Sequence, residues 1–79
     1  MYTELNKLLI SVLGLDKTYS FDKSTGLLGH IPEFDSLAVV TVIEAIEDQF
    51  DIVIDDDEVD AEIFETFGSL LAFVEKKVE

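Results

Sequence analysis

The run Asp35-Ser36-Leu37-Ala38-Val39-Val40-Thr41-Val42-Ile43-Glu44-Ala45-Ile46-Glu47-Asp48-Gln49-Phe50-Asp51 decides the fold. Its centre, Val39 to Ile43, is β-branched at every position and would suit a strand. A strand, however, alternates with period two, and this apolar pattern does not. At about 100° per residue, Val39, Val40, Val42, Ile43, Ile46 and Phe50 gather on one broad face, while Leu37, Thr41, Glu44 and Asp48 line the other. Asp35 is a good N-cap. A helix over Ser36 to about Phe50 is predicted.

The flanks extend the same reading. Leu5, Leu8, Leu9, Val12 and Leu13 recur at helical spacing with Gly14 just beyond, which predicts a first helix from about Tyr2 to Leu13, with Thr3 as its N-cap candidate. Leu15 to Phe34 holds Gly26, Gly29 and Pro32 and no sustained period. That reads as a long loop, unusual in a compact domain, with Phe21, Leu27, Leu28, Ile31 and Phe34 available to pin it to a core. Ile52-Val53-Ile54 followed by acids reads as a turn with one buried stretch. Val59 and Ile63 lie four apart, so Asp56 to Ile63 is expected to form a short third helix. Thr66 or Ser69 can cap a last helix bearing Leu70, Leu71, Phe73, Val74 and Val78, with Lys76 and Lys77 suiting the dipole at its C-terminal end. The expected fold is a single all-α domain over residues 1–79, a small bundle of three main helices and one short one.

Composition narrows the function. The 79 residues include 18 Asp+Glu and 5 Lys+Arg, a formal net charge of −13, with no arginine and no cysteine. A chain this short buries only about 60% of its unfolded surface, which leaves one thin core and little room for a catalytic pocket. With 48% hydrophobic residues and a mean hydropathy of +0.29, it is nonetheless no disordered acidic tail. Phosphate neutralisation needs clustered Lys and Arg, so the composition argues against nucleic acid as a partner, and equally against an anionic membrane surface. Without cysteine there is no disulfide, thiolate metal site or thiol nucleophile. The first residues carry no basic segment leading into a signal-peptide core and no apolar run nears the ~20 residues that span a bilayer; a cytoplasmic, soluble monomer is expected. The charge is segregated: Glu33 to Glu65 contains thirteen acids, and no Lys or Arg lies between Lys23 and Lys76. This is either a solvated face or a docking surface for a basic partner.

Chemistry concentrates at Gly29-His30-Ile31-Pro32-Glu33-Phe34-Asp35-Ser36-Leu37. A serine at the first position of a helix, after an N-cap Asp, sits among the unpaired amides and the positive dipole end of the first turn. A phosphate ester of its hydroxyl would meet a natural anion site. Taken alone, the same tripeptide also reads as an ordinary helix cap beside an edge leucine.

Asp35-Ser36-Leu37, the thirteen-residue spacing to Phe50-Asp51, and the following Ile54-Asp55-Asp56-Asp57-Glu58 together resemble an acyl carrier protein over essentially the whole chain. The resemblance implies that Ser36, flanked by Asp35 and Leu37, receives 4'-phosphopantetheine from coenzyme A through a partner phosphopantetheinyl transferase. Acyl groups would then ride as thioesters on the arm, with the protein itself non-catalytic. It implies partners with basic docking faces, either acyl-loading ligases or acyltransferase and synthase enzymes, in fatty acid, specialised lipid or secondary-metabolite biosynthesis. The partner-binding face is expected to comprise Leu37, Ala38, Thr41, Glu44, Glu47 and Asp48. Two departures from the family pattern point to a dedicated pathway. Glu33 and Phe34 stand where the family commonly has glycine, and Ala38, Thr41 and Glu44 replace its usual acids and apolar residue along the exposed face.

Other readings compete. An aminoacyl or peptidyl carrier would share the same arm. A hydrolase using Ser36 with His30 as base lacks a nucleophile elbow. A calcium sensor built on Asp51, Asp55, Asp56, Asp57, Glu58, Asp60 and Glu62 lacks the glycine and ligand spacing of an EF-hand, so no specific metal site is expected. A plain interaction module without a prosthetic group is the remaining alternative.

Overall fold

The computed structural model describes residues 2–16 and 18–79, with the side chain of Asp56 left out. Three α-helices, α1 (Tyr2–Leu13), α2 (Ser36–Phe50) and α3 (Phe67–Val78), are joined by two long irregular connections, the second containing a 3₁₀ turn at Asp56–Glu58. Among the described residues there is no strand and no helix long and apolar enough to cross a membrane.

The predicted stops act as expected. Gly14 adopts φ 68°, and behind it the Leu15 N–H donates to the Ile10 carbonyl at 3.0 Å, closing α1 as glycine in the left-handed region does. Asp51 does the same for α2 at φ 55°, a conformation that Asp tolerates better than most residues. At the start of α3 both candidate caps serve together. Thr66 Oγ1 accepts the Ser69 N–H and Ser69 Oγ accepts the Thr66 N–H, each at 3.1 Å, forming a capping box.

Three expectations are corrected. Thr3 lies inside α1 rather than capping it. The helix includes Tyr2 because the Tyr2 hydroxyl donates to the Phe21 carbonyl and its ring meets Phe67 edge-on, centroids 5.1 Å apart. Val40 is 53% exposed, for at helical pitch it falls about 160° from Val42, at the margin of the apolar face. The expected helix over Asp56 to Ile63 is a single 3₁₀ turn followed by turns at 61–64. Consecutive Asp residues are poor helix formers, and like charges four apart repel along a helix face.

The core is continuous across all three helices and the first connection: Leu5, Leu9, Phe21, Leu27, Val42, Ile46, Phe67, Leu70 and Val74 are all fully buried. Phe21, from the loop, stacks on Phe67 of α3 at 5.4 Å and 10° between planes. Thus the long loop contributes as much to the interior as a helix would. A backbone ladder reinforces it. Leu27 N–H donates to Glu65 O, Leu28 N–H to Phe64 O, Phe67 N–H to Thr25 O and Gly68 N–H to Lys23 O, at 2.8–3.0 Å. Gly68 is required at that approach, because a Cβ there would stand 2.6 Å from the Lys23 carbonyl oxygen. Asn6, buried on α1, closes the other side: its Nδ2 donates to Phe21 O at 3.0 Å and its Oδ1 accepts the Phe21 N–H at 3.3 Å.

Candidate functional site at the start of α2

Everything that fixes the loop also aims the first turn of α2. Phe34, immediately before the N-cap, is 3% exposed and packs against Phe64, centroids 5.7 Å apart. Phe64 in turn holds Leu28 through the ladder. The bulky residue that stands where glycine was expected is therefore an anchor. It delivers Asp35 to the surface with the chain already turned toward helix.

Asp35 then caps α2 in extended geometry, φ −104° and ψ −175°. Its Oδ1 accepts the Ala38 N–H at 2.9 Å and its carbonyl accepts the Val39 N–H at 3.0 Å. That accounts for the third and fourth amides of the turn. Ser36, with the hydroxyl of interest, is exposed, and among the described residues neither its side chain nor the N–H groups of Ser36 and Leu37 have a partner within the protein. Two amides, a free hydroxyl and the positive end of a fifteen-residue helix converge on one accessible point, a setting suited to a covalently attached phosphate.

Around that point the structure separates the residues expected to meet partners. Leu37 is 78% exposed, and Thr41, Glu44 and Asp48 are exposed on the same helix. Thr41 Oγ1 donates to the Leu37 carbonyl at 3.1 Å. Val40, unanticipated on this surface, adds a second apolar side chain near Leu37. Ala38 is half-buried and packs against the core. Glu47 is half-buried too, and its Oε2 accepts the Ile54 N–H at 2.8 Å, so it holds the turn after α2. No spacing rule reveals that role, since it depends on where the chain goes after Asp51.

His30 sits six residues before Ser36, its ring over Gly26, where an added Cβ would lie 2.5 Å from the imidazole. No hydrogen bond joins it to Ser36 among the described residues. Nor does any group of three His, Cys, Asp or Glu come together to hold a metal ion among them; Asp56, one of the acids weighed for such a site, has its side chain outside the described set.

The phosphopantetheine attachment site family matches residues 4–74. The chain belongs to that family. The exposed hydroxyl and unused amides at the start of α2 fit the family's group, which needs an accessible ester position and room for an anion. Solved structures agree with the assignment. The chain is 49% identical to a holo acyl carrier protein of Nitrosomonas europaea, over 95% of this chain and 92% of that one, with a TM-score of 0.85. A holo acyl carrier protein of Geobacter metallireducens, 22% identical over 98% of this chain and 84% of that one, shares the fold at a TM-score of 0.79. No curated protein sequence matches significantly.

Proposed function

We propose that this phosphopantetheine-family protein is an acyl carrier, with Ser36 as the attachment serine. The observation that supports Ser36 above the other serines is its exposed hydroxyl at the capped start of α2, beside the unpaired amides of the first turn. Ser69 is committed to a capping box and Ser24 to the carboxylate of Asp22.

When bound, the prosthetic group supplies a thiol at the end of a flexible arm, which holds an acyl group as a thioester. The chain's own residues do the rest. Asp35 keeps the helix start in place, the Ser36 and Leu37 amides would hold the ester phosphate, and Leu37 and Val40 would offer apolar contact beside it. Thr41, Glu44 and Asp48 present the polar face behind. Such a carrier is non-catalytic, and its partners are a phosphopantetheinyl transferase and acyl-loading or synthase enzymes with basic docking faces. The neutral Ala38 and Thr41 favour a dedicated pathway over the housekeeping fatty acid synthase, and the acidity and small size suit a cytoplasmic monomer.

The test is modification. Incubated with coenzyme A and a broad-specificity phosphopantetheinyl transferase, the protein should gain the mass of one phosphopantetheine, and Ser36→Ala should gain none while keeping its helical circular dichroism. Modification persisting in that variant refutes the assignment.

A further inference from the structure

The first turn of α2 takes its position from outside its own helix. Between Leu27 and Val42, Phe34 is the one buried side chain; Leu28, Ile31, Ala38 and Val39 are half-buried and the rest are exposed. The Leu28 N–H donates to the Phe64 carbonyl. Among the described residues, the hydrogen bonds of residues 29–41 close on Leu27, on one another or along α2. The main tie from the helix start to another element is therefore the ring of Phe34. It lies 5.7 Å from the ring of Phe64, at 44° between planes, a spacing at which aromatic pairs attract. Phe64 is itself well fixed. Its carbonyl takes the Leu28 N–H, its N–H donates to the Ala61 carbonyl at 3.2 Å, and the preceding Ile63 carbonyl accepts the Ser69 hydroxyl at 2.8 Å. Phe34 stands just before the N-cap, with Val39 at the fourth helical position, where a hydrophobic staple sets the angle at which a chain enters its helix. Here a ring from the approach to α3 joins that staple position.

We propose that Phe64 is a positioning residue for phosphopantetheinyl transfer, acting through Phe34 on the direction of the Ser36 hydroxyl. The inference rests on Ser36 as the attachment serine. In the transfer, the Ser36 oxygen bonds to the phosphorus of coenzyme A that bears the pantetheine, and the phosphoanhydride bond breaks. The adenosine bisphosphate half leaves, and the serine proton passes to a base of the transferase. The forming and breaking bonds lie roughly in line, so the serine oxygen must arrive from one direction. A misplacement of about 1 Å can cost such a step about a hundredfold. Phe64 is only 3% exposed, which leaves it no direct contact with coenzyme A and makes Phe34 its route to the site.

The test uses Phe64→Leu and Phe34→Leu, singly and together, which keep an apolar side chain in the core and remove the ring contact. Each is modified by a broad-specificity phosphopantetheinyl transferase at saturating coenzyme A while the carrier concentration is varied. A role in stability alone lowers the folded fraction, so the apparent KM for the carrier rises by the inverse of that fraction while kcat stays. Positioning lowers kcat instead. Phe64→Leu should lose about tenfold in kcat, with KM changed by less than about twofold. The double variant should lose no more than the worse single one, since all three remove the same contact. In the unmodified protein, ¹⁵N order parameters at the Ser36 and Leu37 amides should fall in both single variants, with Ile46 unchanged. Should Phe64→Leu fail to fold by circular dichroism, Phe64→Met and Phe34→Leu carry the same comparison. Wild-type kcat in Phe64→Leu, losses that multiply in the double variant, or order parameters at Ser36 that do not move would each overturn the proposal alone. Arm addition to Ser36→Ala would overturn the attachment assignment and this proposal with it, so the two failures are separately visible.

Discussion

The two long connections of this fold solve the same problem by different means. Residues 14–35 are tied to the core by neutral interactions: the stacked Phe21 and Phe67, the backbone ladder to residues 64–68 and the two bonds from Asn6. Apart from the Asp35 cap of α2, the carboxylates that bond in this connection, Asp16 and Asp22, close only local turns. Asp22 accepts from the hydroxyls of Ser24 and Thr25 and from the Ser24 amide, which together hold its carboxyl below the usual range. Residues 51–63, which precede that ladder and bury Ile54, are held in addition by two carboxylate clasps. Glu47 takes the Ile54 amide. Glu58 accepts the Asp55 amide at 2.9 Å and meets Lys77 of α3 through both oxygens at 2.8 and 2.9 Å. The first connection places the proposed attachment site; the second carries much of the negative charge. A rigid site beside a charge-held strap is what the difference implies, and it is open to direct attack.

The largest effect should come from the neutral side. Phe67→Ala removes the ring that Tyr2, Phe21 and the core all meet, and truncating a buried phenylalanine costs about 3–5 kcal/mol. Small domains have only about 5–15 kcal/mol in all. The variant should therefore be largely unfolded in far-ultraviolet circular dichroism at 37 °C and lose transferase-dependent modification with it. A folded, fully modifiable Phe67→Ala would mean that the stack is not what holds the loop.

How much of this was legible beforehand follows from the same contrast. The three main helices, the caps of α2 and α3 and the pinning residues Phe21, Leu27 and Phe34 could be read because apolar spacing and capping chemistry are local, whereas the Thr3 cap and the short helix over Asp56 to Ile63 were misread. The ladder could not be read: it pairs Gly26 with Thr66 through backbone alone and leaves no alternating pattern. Asn6 carried a faint signal, a polar residue beside Leu5 within a stretch of helical apolar spacing. Glu47 looked like surface because helical position says nothing of a partner that arrives seven residues later. In the candidate site, Asp35, Ser36 and the exposed stripe were readable from the cap and the helical period. Val40 was misplaced because a run of β-branched residues overfills the buried arc.

An intermediate effect is expected at Asn6. Asn6→Ala leaves the buried Phe21 N–H without its acceptor, and an unsatisfied buried group costs about 1–3 kcal/mol. Urea denaturation should show a lower midpoint with an unchanged slope. In native-state hydrogen exchange the Phe21 amide should speed up more than amides within α3. If exchange rises uniformly, the bond contributes to global stability without pinning the loop, and the neutral side of the comparison weakens.

The smallest effect, and the most specific, concerns Glu58. The hydrogen bond from Lys77, then that from the Asp55 amide, holds its carboxyl below the ordinary glutamate value of 4.5. A carboxyl whose value is lower folded than unfolded adds stability that is present above about pH 4.5 and is lost as pH falls through the folded value. The domain as a whole moves the other way at first, since protonating other acids relieves the repulsion of a −13 chain. Absolute melting temperatures therefore mix two trends, and the difference between the wild-type protein and Glu58→Gln separates them. That difference should be small because both partners are solvent-accessible, with side-chain exposures of 26% and 33%. It should be constant from pH 7 to about 5, shrink below 4.5, and fall with added salt as the pair is screened. Hydrogen exchange should localise the change to amides of residues 52–63, leaving Phe21 and the first turn of α2 unaltered. A difference that ignores both pH and salt would mean that apolar contacts of Val59 and Ile63 hold the strap and that the two connections are alike.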